Sequence, residues 1–266
     1  MKHILITVSL LLLASLLVWT LWGNTALIHT QYTTESEKIP SAFQDFTIAQ
    51  VSDLHNTQFG ADNRKLLSML EQAQPDIIAI TGDLLDSRRT DPEVAIAFVR
   101  EAVTIAPVYY APGNHESRVL DAYAQVKDAF SDLGVVILEN EEVLVEKDGQ
   151  TITLIGLTDP DFGIPWPVFS AGTYQVVLSH RPEMLEEYTR REFDLVLTGH
   201  AHGGQFRLPW IGGLYAPHQG FLPEYDSGIH QQGDTVMIVS RGLGNSLFPL
   251  RFNNRPELIT VTLESI

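Results

Sequence analysis

At 266 residues, 44% hydrophobic and 19% charged, the chain is long enough to bury a substantial core and too ordinary in composition to be disordered or fibrous. A formal net charge of −16 excludes the broad basic footprint of a nucleic-acid binder, so attraction for an anionic ligand would need a local cationic centre such as bound metal. The absence of cysteine excludes disulfides, thiolate metal sites and cysteine nucleophiles.

The first element is the uncharged run 4–22. About 20 apolar residues span a hydrocarbon core as a helix, and Trp19 and Trp22 fall where an interfacial aromatic belt belongs. A cleaved signal peptide is the competing reading. Its apolar region is usually shorter, and the following GNTALIHT is a poor cleavage site. Lys2 and the amino terminus on the short side place the bulk of the chain outside the cytoplasm. The polar stretch 30–41 reads as a linker, which divides the chain into an anchor (1–24), a linker (25–42) and a domain (43–266).

Within the domain the elements alternate. FTIAQVSD reads as a strand and DNRKLLSMLEQAQ as a helix with an Asp cap. PDIIAITGD is a strand, and DPEVAIAFVREAV a helix capped by Asp91 with Pro92 at its first position. The strand APVYYAPGNH is followed by a helix closed at Gly134 and by the strand VVILEN. This β-α-β-α-β series of apolar strands predicts a layered α/β domain. The second half opens on an Asp-Gly hairpin, EVLVEKDGQTITLIGL. The strands YQVVLSH, FDLVLTGH, TVMIVSRG and ELITVTLE follow, with one helix near 181–191. Two sheets face to face, flanked by helices, fit this count better than one doubly wound sheet.

Five strand ends stand out: VSDLHN, ITGDLLD, APGNHE, VLSH and LTGHAHGG. Each apolar run stops at a residue able to bind metal, and three reach it through a glycine. Carboxyl ends of strands converge on one rim in layered α/β folds. Asp53 and His55, like His200 and His202, are two apart, so on an extended chain each pair points one way. Gly82, Gly113 and Gly199 would let the chain bend before the ligand. Taken singly, an Asp after a strand is usually a cap and GNH a common turn. Taken together, Asp53, His55, Asp83, Asn114, His115, His180, His200 and His202 form a hard, sulfur-free N/O set suited to Mn, Fe or Zn. The set is too large for one ion, and two cations sharing a carboxylate is the economical arrangement.

The ordered series D-x-H, G-D, G-N-H-E, a lone His and G-H-x-H resembles the calcineurin-like metallophosphoesterase superfamily. GHAHGGQ resembles the GHTHGGQ of its bacterial membrane-associated branch, with Ala201 in place of the threonine. The resemblance implies a four-layer α-β-β-α sandwich of two mixed sheets. It also implies that Asp53, His55 and His202 hold one divalent ion, that Asn114, His180 and His200 hold the other, and that Asp83 bridges them. His115 would stand at the leaving group as the catalytic residue, and a metal-bridging hydroxide would attack phosphorus. Asp86, Asn56 and Glu116 would orient ligands or serve as turn and surface residues. Arg241, Arg251 and His218 would meet the phosphate or be satisfied elsewhere. The long segment 203–233, with Trp210, Tyr215, Phe221, Leu222 and Tyr225, would accept a lipid-linked phosphate or simply pack on the domain.

The expected activity is therefore hydrolysis of a phosphate ester by a membrane-anchored enzyme, the ester being a phosphodiester or lipid-linked. The alternatives are a phosphomonoesterase for soluble substrates and a non-catalytic metal-binding scaffold. No nucleic acid and no protein partner is expected.

Overall fold

The computed structural model describes residues 1–170 and 172–266. Helix α1 (Lys2–Gly23) buries none of its side chains. It is apolar all round, so it has no stripe to lay on a soluble core, and it is long enough to cross a bilayer.

The first half runs β1 (Ile28–Ser36), β2 (Phe46–Val51), α2 (Arg64–Ala73), β3 (Ile77–Thr81), α3 (Pro92–Ala102), β4 (Val108–Ala111), α4 (Asn114–Ser117), α5 (Leu120–Asp132) and β5 (Val136–Ile137). The second half begins with β6 (Glu141–Lys147), β7 (Gln150–Gly156), β8 (Gln175–Leu178), α6 (Leu185–Arg190) and β9 (Leu195–Thr198). Two small hairpins follow, β10 (Arg207–Leu208) with β11 (Gly212–Gly213) and β12 (Tyr215–Ala216) with β13 (Gly220–Phe221). The chain closes with β14 (Gly228–Gln232), β15 (Thr235–Val239) and β16 (Glu257–Ser265).

Two six-stranded mixed sheets result, in the orders β1-β16-β2-β3-β4-β5 and β14-β15-β9-β8-β7-β6. Strand residues alternate between two cores. Ile77 and Ala79 face the other sheet, where Val176, Leu178, Leu195 and Leu197 meet them. Ile78 and Ile80 face the helices, against Leu66, Leu70, Phe98 and Val126. On the far side, Val177 and Val196 pack on Leu185 and Tyr188 of α6. The expected four-layer α-β-β-α sandwich is present.

Local signals account for most elements. Asp91 caps α3 by accepting the Glu93 N–H, with Pro92 behind it. Asp148 (φ 50°) and Gly149 (φ 75°) turn the β6–β7 hairpin in the left-handed geometry of a tight two-residue loop. The cap expected at Asp62 is not formed. Asp62 and Asn63 are both left-handed, α2 starts at Arg64, and the Asn63 amide oxygen accepts the Phe59 N–H.

The span expected as a linker, 25–42, also differs. Its residues Ile28–Ser36 form β1, an edge strand parallel to β16 from Ile28↔Glu257 to Ser36↔Ser265. Thr30, Tyr32 and Thr34 point inward where a clear strand pattern would show aliphatics, and the partner strand lies at the far end of the chain.

Candidate metal centre

Asp53 and His55 follow β2, Asp83 follows β3, Asn114 and His115 follow β4, His180 follows β8, and His200 and His202 follow β9. Strands β2, β3 and β4 are neighbours in one sheet, and β8 and β9 in the other. Their carboxyl ends bring all eight side chains to one rim, every one of them buried.

They do not meet by extended alternation. Asp53, His55, Asp83, His200 and His202 all have φ between 46° and 64°. Non-glycine residues in that region are uncommon and cluster at functional sites. The short left-handed turns aim the side chains, a feature that spacing in the sequence does not reveal. Of the three glycines, Gly82 is left-handed (φ 85°), as expected of a bend. Gly113 and Gly199 are required for a different reason. A Cβ at Gly113 would collide with the Asp83 carboxylate, and one at Gly199 with Ser52 Oγ and the Asp53 carboxylate.

Two clusters share this rim. Asp53, His55 and His202 form one, and Asp83, His180 and His200 the other. His55 Nε2 lies 3.2 Å from His202 Nε2, and His202 Nε2 lies 3.5 Å from Asp53 Oδ1. Across the second cluster His180 Nε2 is 3.1 Å from Asp83 Oδ2 and 3.2 Å from His200 Nδ1. Asp83 Oδ2 also stands 3.6 Å from His55 Nε2, so this carboxylate lies between the two groups.

The electrostatics fit a cation. Burial pushes His55 down to about 3 and holds His200 and His202 well below the ordinary imidazole value, so these rings are neutral and keep lone pairs. Burial also lowers His180, but Asp83 and Asp53 outweigh it and raise it to about 10. The space between those carboxylates therefore favours positive charge. Burial raises Asp83, yet His180, His115 and His55 hold it well below the usual carboxylate range.

Hydrogen bonds select the tautomers. His180 Nδ1 faces the Thr81 carbonyl at 2.8 Å, so Nδ1 carries hydrogen and Nε2 faces the cluster. His218 Nδ1 accepts from the Arg181 guanidinium at 2.7 Å and from His200 Nε2 at 2.8 Å, which leaves the lone pair of His200 on Nδ1. The Asn114 carboxamide sits 2.9 Å from His200 Nδ1 and 3.2 Å from His180 Nε2, oxygen toward the rings and nitrogen toward Arg118. For hydrogen bonding alone the opposite orientation is better. The observed one suits an oxygen and two ring nitrogens that aim at a single cation.

His115 is different. Its Nδ1 accepts the Ser87 N–H at 2.9 Å, so the neutral ring carries its proton on Nε2. That atom is 4.0 Å from Asp83 Oδ2 and 3.3 Å from Ser246 Oγ. Asp86 lies behind it, 3.8 Å from Nδ1, and is bound by Arg89 and the Arg88 N–H. Glu116 is fully buried, and its carboxylate accepts the N–H groups of Asp83, Gly113 and Leu85. It ties two ligand loops together and is neither a surface nor a turn residue. Asn56 donates to the Arg89 carbonyl.

A cavity of about 200 Å³ opens on the centre, lined by Asp83, Asn114, His115, His200 and His202 together with Arg88, Arg118, Leu247 and Phe248. Arg88 and Arg118 are the cations on this cavity, and neither was singled out by the sequence motifs. Arg241 instead stands 3.9 Å from Glu257. Arg251 is buried and donates to the Arg241 and Gly244 carbonyls and to Asn245 Oδ1, with Nη2 3.3 Å from His202 Nδ1. His55, Asp83 and His115 form a further grouping between the two, and a fourth, Glu183, His200 and His218, already contains the Arg181 guanidinium. A larger cleft of about 510 Å³ lies elsewhere, and its main charges pair with one another, Lys38 with Asp194 and Arg191 with Glu187, both at 2.7 Å.

The family model for the calcineurin-like phosphoesterase matches residues 46–204. The uncharacterized metallophosphoesterase YkuE of Bacillus subtilis (strain 168) is 30% identical over 246 residues, 89% of this chain and 85% of that one. The phosphodiesterase YaeI of Escherichia coli (strain K12) is 28% identical over 229 residues, 82% of each chain. The crystal structure of TT1561 of Thermus thermophilus superposes with a TM-score of 0.51 at 14% identity, covering 75% of this chain and 91% of that one, a likeness of fold. The chain therefore belongs to the calcineurin-like phosphoesterase family, whose members bind a dinuclear divalent metal site, and is a metal-dependent phosphoesterase.

Proposed function

We propose that this chain is a membrane-anchored phosphoesterase for a phosphodiester or lipid-linked phosphate. Asp53, His55 and His202 would hold one divalent cation, Asn114, His180 and His200 the second, and Asp83 would stand between them. The observation that carries the assignment is the convergence of Asp53, His55 and His202 in one group and of Asp83, His180 and His200 in the other, with the Asn114 oxygen beside His180 and His200, the Asp83 carboxylate between the groups, and the Nε2 of His180 and Nδ1 of His200 turned toward the cluster. Bound divalent ions supply charge neutralisation on phosphoryl oxygens and a water acidified toward neutrality. The sulfur-free donor set suits Mn, Fe or Zn.

The protein's own groups do the rest. His115, its Nε2–H set by the Ser87 bond, donates a hydrogen bond that stabilises the charge growing on the departing oxygen. Arg88 and Arg118 orient the phosphate at the cavity wall, and Asp161 steadies Arg118 at 3.0 Å. The anchor is α1, and the catalytic domain extends from Ile28 to the last strand. Lys2 at the short end favours a catalytic domain outside the cytoplasm.

The test is hydrolysis of bis(nitrophenyl) phosphate by the full chain loaded with Mn²⁺, with metal content measured in parallel. Turnover that Asp83→Asn abolishes supports the reading. Two metals bound per chain without turnover of diester or monoester would make the protein a scaffold, and turnover of monoesters alone would make it a phosphomonoesterase.

A further inference from the structure

The segment 246–250, sequence SLFPL, reaches the metal centre, and the residues on either side of it are bonded to the end of the anchor. Ser246 Oγ is 3.3 Å from His115 Nε2. Leu247 and Phe248 line the cavity, yet remain 59% and 50% exposed. The Gln205 amide, three residues after His202, donates to the carbonyls of Phe248 and Leu250 at 3.2 and 2.7 Å. The backbone is thus pinned while Leu247, Phe248 and Leu250 stand out from the surface.

One residue further on, Arg251 pairs with Asn24, the residue that closes α1. Its N–H donates to Asn24 Oδ1 at 2.7 Å, and its carbonyl accepts from Asn24 Nδ2 at 2.9 Å. Asn245, just before the segment, also donates to Asn24 Oδ1 at 3.1 Å. Both ends of the apolar segment are therefore fastened to the same turn of the anchor, beside Trp22, whose ring lies under the Arg255 guanidinium.

These contacts set a distance. Leu247 and Arg251 are four steps apart in the chain, so their Cα atoms are at most about 14 Å apart. The polar zone on each side of a bilayer's hydrocarbon core is about 5–8 Å thick. A bilayer that holds α1 with Trp19 and Trp22 at its boundary thus has its polar surface within about 14 Å of the mouth of the cavity, a gap of the same order as the headgroup zone. A chain of net charge −16 gains nothing from the negative surface potential of a membrane, so apolar contact is the means left for seating this edge.

We infer that segment 246–250 is a membrane-seated lip, and that the phosphate entering the metal cavity belongs to a lipid of the bilayer that holds α1, with the lipid's apolar part against Leu247 and Phe248. This rests on the phosphoesterase reading above and specifies its substrate class.

The absence of cysteine permits a clean test with the full chain in phosphatidylcholine vesicles. Leu247→Cys and, as a control on the exposed face of β6, Leu144→Cys are each labelled with a nitrobenzoxadiazole. Doxyl-labelled lipid should quench the probe at 247 and spare the probe at 144; quenching at both positions or at neither overturns the lip. In parallel, hydrolysis of phosphatidyl-p-nitrophenol in the same vesicles is compared with that of soluble bis(nitrophenyl) phosphate. In Leu247→Ser/Phe248→Ser the ratio of kcat/KM for lipid over soluble ester should fall about tenfold, the loss expected from removing two apolar contacts. An unchanged ratio overturns the lipid assignment. Failure to hydrolyse either ester would instead refute the phosphoesterase reading, and the quenching result would stand independently of it.

Discussion

The Glu116 carboxylate accepts the backbone N–H of Asp83 at 2.9 Å, from a different strand end and across a fully buried gap. With Gly113 N–H at 2.8 Å and Leu85 N–H at 3.0 Å it closes three bonds on two loops. Burial and the nearby Asp83 push this carboxyl up to about 7, so its ionised form is held at a cost that the N–H donors offset only in part. Glu116→Ala leaves three buried N–H groups without an acceptor and should destabilise the fold by about 3–5 kcal/mol. Metal affinity should fall about 10–100-fold, as for other residues that orient ligands. Thermal unfolding and Mn²⁺ titration would check both. Unchanged metal affinity would show that Glu116 has no part in holding Asp83.

Gly199 makes a sharper case, because the added group is a single methyl. A Cβ there meets Ser52 Oγ and the Asp53 carboxylate, and Ser52 Oγ is itself 2.7 Å from Asp53 Oδ2. Gly199→Ala should displace Asp53 and reduce kcat/KM by about 100-fold, the scale of an ångström's misplacement. Mn²⁺ stoichiometry should drop toward one per chain. Full stoichiometry with normal turnover would count against Asp53 as a ligand.

His115→Ala should keep both metals and lose about 10²–10³ in kcat for an alkyl ester, the usual contribution of one donor aimed at a developing oxyanion. A nitrophenolate leaving group needs little such stabilisation, so its loss should be much smaller. Comparing the two leaving groups in single-turnover assays separates hydrogen-bond donation from structural damage. An equal loss on both would remove His115 from that role.

Asp226 ties the β10–β11 hairpin to the loop beyond it, accepting from Arg207 at 2.8 Å, Gly213 N–H at 2.6 Å and Ser227 at 2.7 Å. Burial raises its carboxyl, but those bonds outweigh burial and leave it below the ordinary value. A depressed carboxyl stabilises above its unfolded pKa of about 3.9, and that contribution is lost as pH falls through the lower folded value. The Tm difference between wild type and Asp226→Asn should thus be full at neutral pH and shrink below about pH 4. A difference that stays constant with pH would show that the bonds do not depend on the charge.

Much of this protein is legible without coordinates. The apolar strands, the cap at Asp91, the Asp-Gly hairpin and the five strand-end motifs are all local signals. They carry information because backbone conformation and strand polarity are decided over a few residues. Edge strand β1 was hidden because Thr30, Tyr32 and Thr34 take inward positions and the partner is the last strand of the chain. Arg88 and Arg118 were hidden because neither lies in a motif, and Arg241 and Arg251 are turned to Glu257 and to backbone carbonyls instead of to the cavity.

From the sequence alone came the inventory of donors and the order in which the strands deliver them, since residue type and strand-end position are properties of short segments. Tertiary structure alone decided which donors face one another, which nitrogens of His180 and His200 face the cluster, and that Asn24, at the end of α1, is bonded beside the cavity mouth. Those are distances between segments far apart in the chain. They depend on left-handed turns at Asp53, Asp83 and His200, on the room left by Gly113 and Gly199, and on packing that only the folded whole supplies.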